Sequence, residues 1–160
     1  MPLLEDLYQK QRARQVELLP FFYSTAFLNS AVAAGATVAQ TININSDSHF
    51  IVRYFQLTAY TAGLVVATAT PPLLIQFQDT GSGRTIFDNP QPVQNVCGGV
   101  AAAAGTGALP FILPEPWLIR AGSVVTVTIV SLGAAAFNRV DVSLPGFKAF
   151  RFGATTPADL

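Results

Sequence analysis

From Phe21 onward the chain runs in β-branched and aromatic stretches divided by Gly, Pro, Asn and Asp, the pattern of an all-β sandwich or barrel. Strands are predicted over 21–29, 36–45, 49–60, 72–79, 84–87, 109–113, 117–119, 123–132 and 137–152. The alternation is clearest at 37–45, where Val38, Ile42 and Ile44 fall on one side and Thr37, Thr41 and Asn43 on the other, so that strand is expected to be half exposed. At 123–130 the alternation is looser, which predicts a strand covered on both faces. Ahead of all this, Leu3, Leu4, Leu7 and Tyr8 recur at helical spacing, with Val16 and Leu18 or Leu19 further on, and Pro20 supplies the stop. The expected organisation is a helical arm over 1–19 and a β-sandwich domain over 20–160. The stretches 31–35 and 97–107 lack bulky side chains and read as loops, and the prolines of Leu113-Pro114-Glu115-Pro116-Trp117 belong at a sheet edge or strand switch.

Composition sharpens that picture. Hydrophobic residues make up 51% of the 160 positions and charged ones only 11%, against about 25% charged in an average soluble domain. Part of that apolar surface is expected to meet a partner. Nine basic and nine acidic residues cancel, leaving no overall field to draw nucleic acid or an anionic membrane. The start carries Glu5 and Asp6 ahead of its basic residues and has no signal-peptide pattern, and no 18-residue stretch is apolar enough to span a bilayer. Synthesis in the cytoplasm is expected.

Candidate chemistry is sparse. Asp79-Thr80-Gly81-Ser82 matches the catalytic loop of aspartic proteases, in which two such loops meet across a two-fold axis and two carboxylates share a proton. Gln78 stands where that family has an apolar residue. Neither Val96-Cys97-Gly98 nor Ser143-Leu144-Pro145-Gly146 makes its bracing element. The stretch reads as a hairpin turn. His49 is the only histidine, so a triad would need it with Asp47 and an unidentified serine, or a dyad with Cys97; Ser46-Asp47-Ser48-His49 is read as a turn. Asp47, Asp79, Asp88, Glu115 and Asp141 are scattered singly, without metal-ligand spacing, and Gly81-Ser82-Gly83 and Gly105-Thr106-Gly107 lack phosphate-loop context. Cys97 reads as a small buried hydrophobe. Arg53, Arg84, Arg120, Arg139 and Arg151 are solubility residues or interface forks, and Trp117 and Tyr54 are core or interface aromatics, or ligand-stacking ones. No catalytic, cofactor-binding or metal-ligating residue is expected.

The succession ELLPFFYS, GATVAQTININSDSHFIVRYF, DTGSGRTIFDNP, LPEPWLIRAGSVVTVTIVSL and LPGFKAF resembles the small β-sandwich structural proteins of tailed-bacteriophage virions, particularly head decoration (cement) proteins. That resemblance implies a jelly-roll-like antiparallel β-sandwich with a short N-terminal helix, no enzyme activity and no cofactor. It also implies binding to the major capsid protein on the outer capsid surface as a homo-oligomer, with a trimer favoured. Two alternatives stay open: a carbohydrate- or ligand-binding sandwich at a phage vertex, neck or tail, and a dimeric aspartic protease acting through Asp79-Thr80-Gly81.

Overall fold

The computed structural model describes residues 3–33, 35–61, 67, 71–97, 112–133 and 137–160, with the side chains of 29–32 excepted. In chain order the elements are α1 (Leu3–Arg12), β1 (Val16–Val32), β2 (Thr37–Asn43), β3 (His49–Tyr54), β4 (Gln56–Tyr60), β5 (Leu73–Asp79), β6 (Arg84–Thr85), β7 (Gln91–Pro92), α2 (Val93–Val96), β8 (Ile112–Ile119), β9 (Val124–Ser131) and β10 (Phe137–Arg151). The strands form two antiparallel sheets. Sheet A runs β1-β10-β3-β8 with β4 also on β10, and sheet B runs β2-β9-β5-β6 with β7 also on β5. Counting β3 with β4 as one broken strand and β6 with β7 as another, the chain crosses between sheets at every step except from β5 to β6. This is the two-Greek-key wiring of a jelly roll. The loop expected at 97–107 and the strand start at 109–111 lie, apart from Cys97, outside the described residues.

The main core lies between the sheets, where the alternation of each strand delivers its apolar set: Phe50, Val52, Val140, Val142 and Leu144 from sheet A, and Ile42, Ile75, Phe77, Val125, Val127 and Ile129 from sheet B. Phe55 and Phe77 stack across the gap with centroids 4.1 Å apart. The single strand expected over 49–60 is broken at Phe55. Val52 pairs with Gly146 and Gln56 with Ser143, so three residues of one strand oppose two of β10. This bulge turns Phe55 inward and bends the sheet. Gly146 has to be a glycine here, because a Cβ would run into the backbone carbonyl oxygen of Ile51.

The N-terminal segment departs from the expectation in a definite way. The helix ends at Arg12, and residues 16–19 already belong to β1, where Val16 and Leu18 sit opposite Arg151 and Ala149. Pro20 therefore does not stop the helix. It lies inside β1, an edge strand that tolerates a missing N–H on its free side. What ends the helix is a Schellman cap: Gln15 N–H donates to the Lys10 carbonyl at 2.9 Å and Arg14 N–H to that of Gln11 at 3.0 Å, with Arg14 left-handed at φ 54° where glycine is usual. The helix buries Leu7 in a second, smaller cluster with Val16, Leu18, Ile51, Ala149 and Ala158 on the outer face of sheet A. At the other end of β1 the strand runs on to Val32, into the stretch read as a loop from residue 31.

The prolines near Trp117 fall within β8. Val52 pairs with Trp117 and Tyr54 with Ile112, so 113–116 bow out of the ladder and Pro114 and Pro116 need donate nothing to it. β7 and the single turn α2 were not expected, since two and four residues are too few to show a period.

Candidate functional site

The Asp79 turn connects β5 to β6, with Gln78 opposite Thr85 and Asp79 opposite Arg84. Gly83, at φ 68°, supplies the left-handed position the turn requires. The Asp79 carboxylate is 3% exposed, accepting from Gly81 N–H at 3.0 Å and from the Ser82 hydroxyl at 2.7 Å. The Thr80 N–H and hydroxyl both donate to the Val124 carbonyl, at 2.9 and 2.8 Å, fastening the turn to β9. Both carboxylate oxygens are engaged within one hairpin, as an Asx turn does.

The His49 combinations are separated. His49 points to the outer side of sheet A, where its Nδ1 accepts from Ala121 N–H at 3.0 Å. Burial, helped by nearby Arg120, lowers its pKa, outweighing the opposite pull of the Ala158 backbone and Asp159. Asp47 turns elsewhere: it accepts from the Ser48 hydroxyl at 2.8 Å and pairs with Lys148 at 3.3 Å. Lys148 is itself almost buried, its ammonium 4.6 Å from the centre of the Phe21 ring. Cys97 sits in the main core, across sheet A from His49, and desolvation pushes its thiol up to about 12. Among the described residues no three of His, Cys, Asp and Glu gather as metal ligands would. Asp141 engages Arg139 at 2.7 Å, Arg139 and Arg53 also stand over Tyr60 and Phe147, and Trp117 packs against the main core.

What the fold does assemble is surface. On the outer face of sheet A an open groove of about 750 Å³ crosses from β1 to β8. Its floor is two cross-strand pairs, Pro20 with Phe147 and Phe22 with Pro145. Its far wall is the pair Tyr54 and Ile112. Arg53 and Gln56 add polar groups at the bulge. Phe22 is 65% exposed and Ile112 59%, which is unusual for side chains of that size. The signal was present in ELLPFFYS: consecutive large apolar residues in a strand point to opposite faces, so one must lie outside the core.

The outer face of sheet B is of another kind. Thr37, Ala39, Thr41 and Asn43 of β2 flank Val130, Thr128, Thr126 and Val124 of β9, which in turn flank Leu74, Gln76 and Gln78 of β5. No residue of this lattice is charged. β9 is half-buried along that side and fully buried on the other, so the looser sequence alternation becomes a strict one in space.

No protein-family description and no curated protein matches the chain. Among solved structures it is similar to the cyanophage Pam1 capsid asymmetric unit, at 18% identity and TM-score 0.46 over 84% of this chain and 86% of that one. It is also similar to the VP2 subviral particle of infectious bursal disease virus, at 13% identity and TM-score 0.30 over 88% of this chain and 34% of that one.

Proposed function

We propose that the chain is a non-enzymatic structural protein of a virion, a decoration protein that lies on the outer capsid surface and braces neighbouring capsomers. The observation that carries this reading is the pair of broad faces on one thin slab: an uncharged Thr, Gln, Asn and Val lattice on sheet B and an apolar groove on sheet A. The exposed surface of a small free domain is usually about a quarter to a third charged. A face with no charge can be desolvated against a neighbour without stranding an ion, and its hydroxyls and amides can re-form hydrogen bonds across the contact.

Jelly rolls serve as capsid and as lectin domains alike, so the wiring alone does not choose between them. The groove lining favours the structural reading, since it contains no carboxylate to bind sugar hydroxyls. The major capsid protein is the proposed partner and the chain itself the second one, as a homo-oligomer whose three-fold form follows from the resemblance to cement proteins. Quantitative mass spectrometry of purified heads tests this. Copies commensurate with an icosahedral lattice, released together as the heads are stripped of surface proteins, are expected. A few copies per particle, or absence from heads, would overturn the decoration role.

A further inference from the structure

The four sheet edges are not alike. β8 is protected by Pro114, Glu115 and Pro116 and by its bowed register. β6 and β7 are two residues each, and β2 is seven residues with four of them polar. Short length, polar side chains, prolines and bulges are the usual devices against unwanted strand addition. β1 has hardly any of them. It is 17 residues long and pairs only with β10, and on its other side no residue from 16 to 32 makes a backbone hydrogen bond to another described segment. From Leu18 to Val32 it has no charge and one proline. Four of the large exposed hydrophobic side chains belong to it, namely Leu19, Phe21, Phe22 and Leu28.

We infer that β1 is an interchain pairing edge, and that its occupant is β1 of a second copy, running antiparallel about a two-fold axis at Thr25. An unpaired backbone row calls for a strand, because only an extended chain matches its repeat. Lack of charge selects the same sequence as partner: two copies meet without like-charge repulsion, whereas an acidic or basic strand would find no counter-charge. The axis position follows from the two most exposed of the large hydrophobic side chains described on the strand, Phe22 at 65% and Leu28 at 56%. Both have the parity of Val16 and Leu18, so they share the outer face of sheet A. With the axis at Thr25, Phe22 of each copy lies directly across from Leu28 of the other, and each covers the other. Pro20 falls toward the end of the paired stretch, where a missing donor costs least.

The pairing deepens the homo-oligomer part of the proposed function and is tested apart from any capsid. The purified full-length chain is expected to sediment at tens of micromolar as an even-numbered species, a dimer or a hexamer built by joining two trimers. Two variants at exposed positions fix the register. Phe22→Cys and Leu28→Cys, mixed and mildly oxidised, are expected to give roughly tenfold more covalent dimer than either alone, because directly opposed Cα atoms fall within disulfide reach while 22 to 22 or 28 to 28 across the axis is about 20 Å. A monomer or a simple trimer overturns the pairing. So does an even-numbered species whose mixture cross-links no better than the single variants, since that assembly uses another face. A monomer found on heads at lattice stoichiometry would remove the pairing and leave the virion reading, while a selectively cross-linked dimer absent from heads would do the reverse.

Discussion

Replacing Gly146 by alanine tests how closely β10 must approach β3. A Cβ at Gly146 would overlap the Ile51 carbonyl oxygen and lie 2.9 Å from its carbon and 3.1 Å from Val52 Cα. All three atoms are backbone of a central strand, so no rotamer change relieves the contact. The strands must separate, and the four pairs from Gly146 with Val52 to Ala149 with His49 share the damage. Overpacking of this kind costs about 1–3 kcal/mol. Losing one or two ladder hydrogen bonds adds about 1 kcal/mol each. The smaller unfolded-state entropy of alanine returns about 0.4–1 kcal/mol. The expected net loss is about 3 kcal/mol, a large fraction of the roughly 5–15 kcal/mol of a whole domain. Urea unfolding followed by far-ultraviolet circular dichroism, at one fixed protein concentration so that association does not confound the comparison, should show the midpoint falling by about 1.5 M at a slope near 2 kcal/mol per molar. A loss under about 1 kcal/mol with unchanged slope would mean that the strands are looser than the contact requires, and would refute the argument.

Arg14→Gly is expected to stabilise the chain by about 1 kcal/mol in the same assay, since the Schellman cap holds a non-glycine residue left-handed. Asp79→Asn should cost less than about 1 kcal/mol because one acceptor for Gly81 N–H remains, while Asp79→Ala should cost about 2 kcal/mol; pepstatin-sensitive peptide cleavage lost in Asp79→Asn would instead revive the protease reading. His49 has a folded pKa below its usual 6.5, so its contribution to stability is fully present above that value and is lost as pH falls through the folded pKa. Thermal midpoints should therefore drop on acidification below about pH 6.5, with that slope reduced in His49→Gln. Cys97, with its thiol pushed up to about 12, should stay unreactive toward a thiol reagent at pH 8 until urea unfolds the chain.

Strands β2 and β5 were legible because each has one side in the core and a period of two, and β9 and β10 because each is a long run rich in β-branched and apolar residues. The junction between α1 and β1 was not. Leu3, Leu4 and Leu7 set a helical period that Val16 and Leu18 also happen to satisfy, and the residue marking the true helix end is an arginine where glycine would have signalled a stop. Pro20 then looked like the terminator, although an edge strand accommodates it. The Asp79 hairpin could be read from Asp, Gly and Gly in five residues, because turn chemistry is local. The groove could not be placed from sequence. Its floor joins residues 20–22 to 145–147 and its wall joins 54 to 112, and those neighbours exist only through the register of four strands.

The three surfaces use different chemistry and meet only at Phe22, which floors the groove and in the proposed pair lies beside Leu28 of the second copy. The outer faces of sheets A and B offer side chains, one apolar and one hydrogen-bonding without charge, while the β1 edge offers backbone. Pairing through β1 extends sheet A sideways and leaves both faces open, so a two-fold pair presents two grooves on one side and two Thr-rich lattices on the other. On the proposed decoration role, docking of one half on a repeating shell would hold the second at high effective concentration, and such linkage would raise retention by about 10²–10⁴ without any new contact, provided the spacing fits. Modest individual faces are then sufficient, which agrees with the absence of a deep pocket or a dominant charged patch among the described residues. An edge that would be an aggregation hazard in a free monomer becomes, in a two-fold pair, the feature that converts weak side-chain contacts into durable attachment.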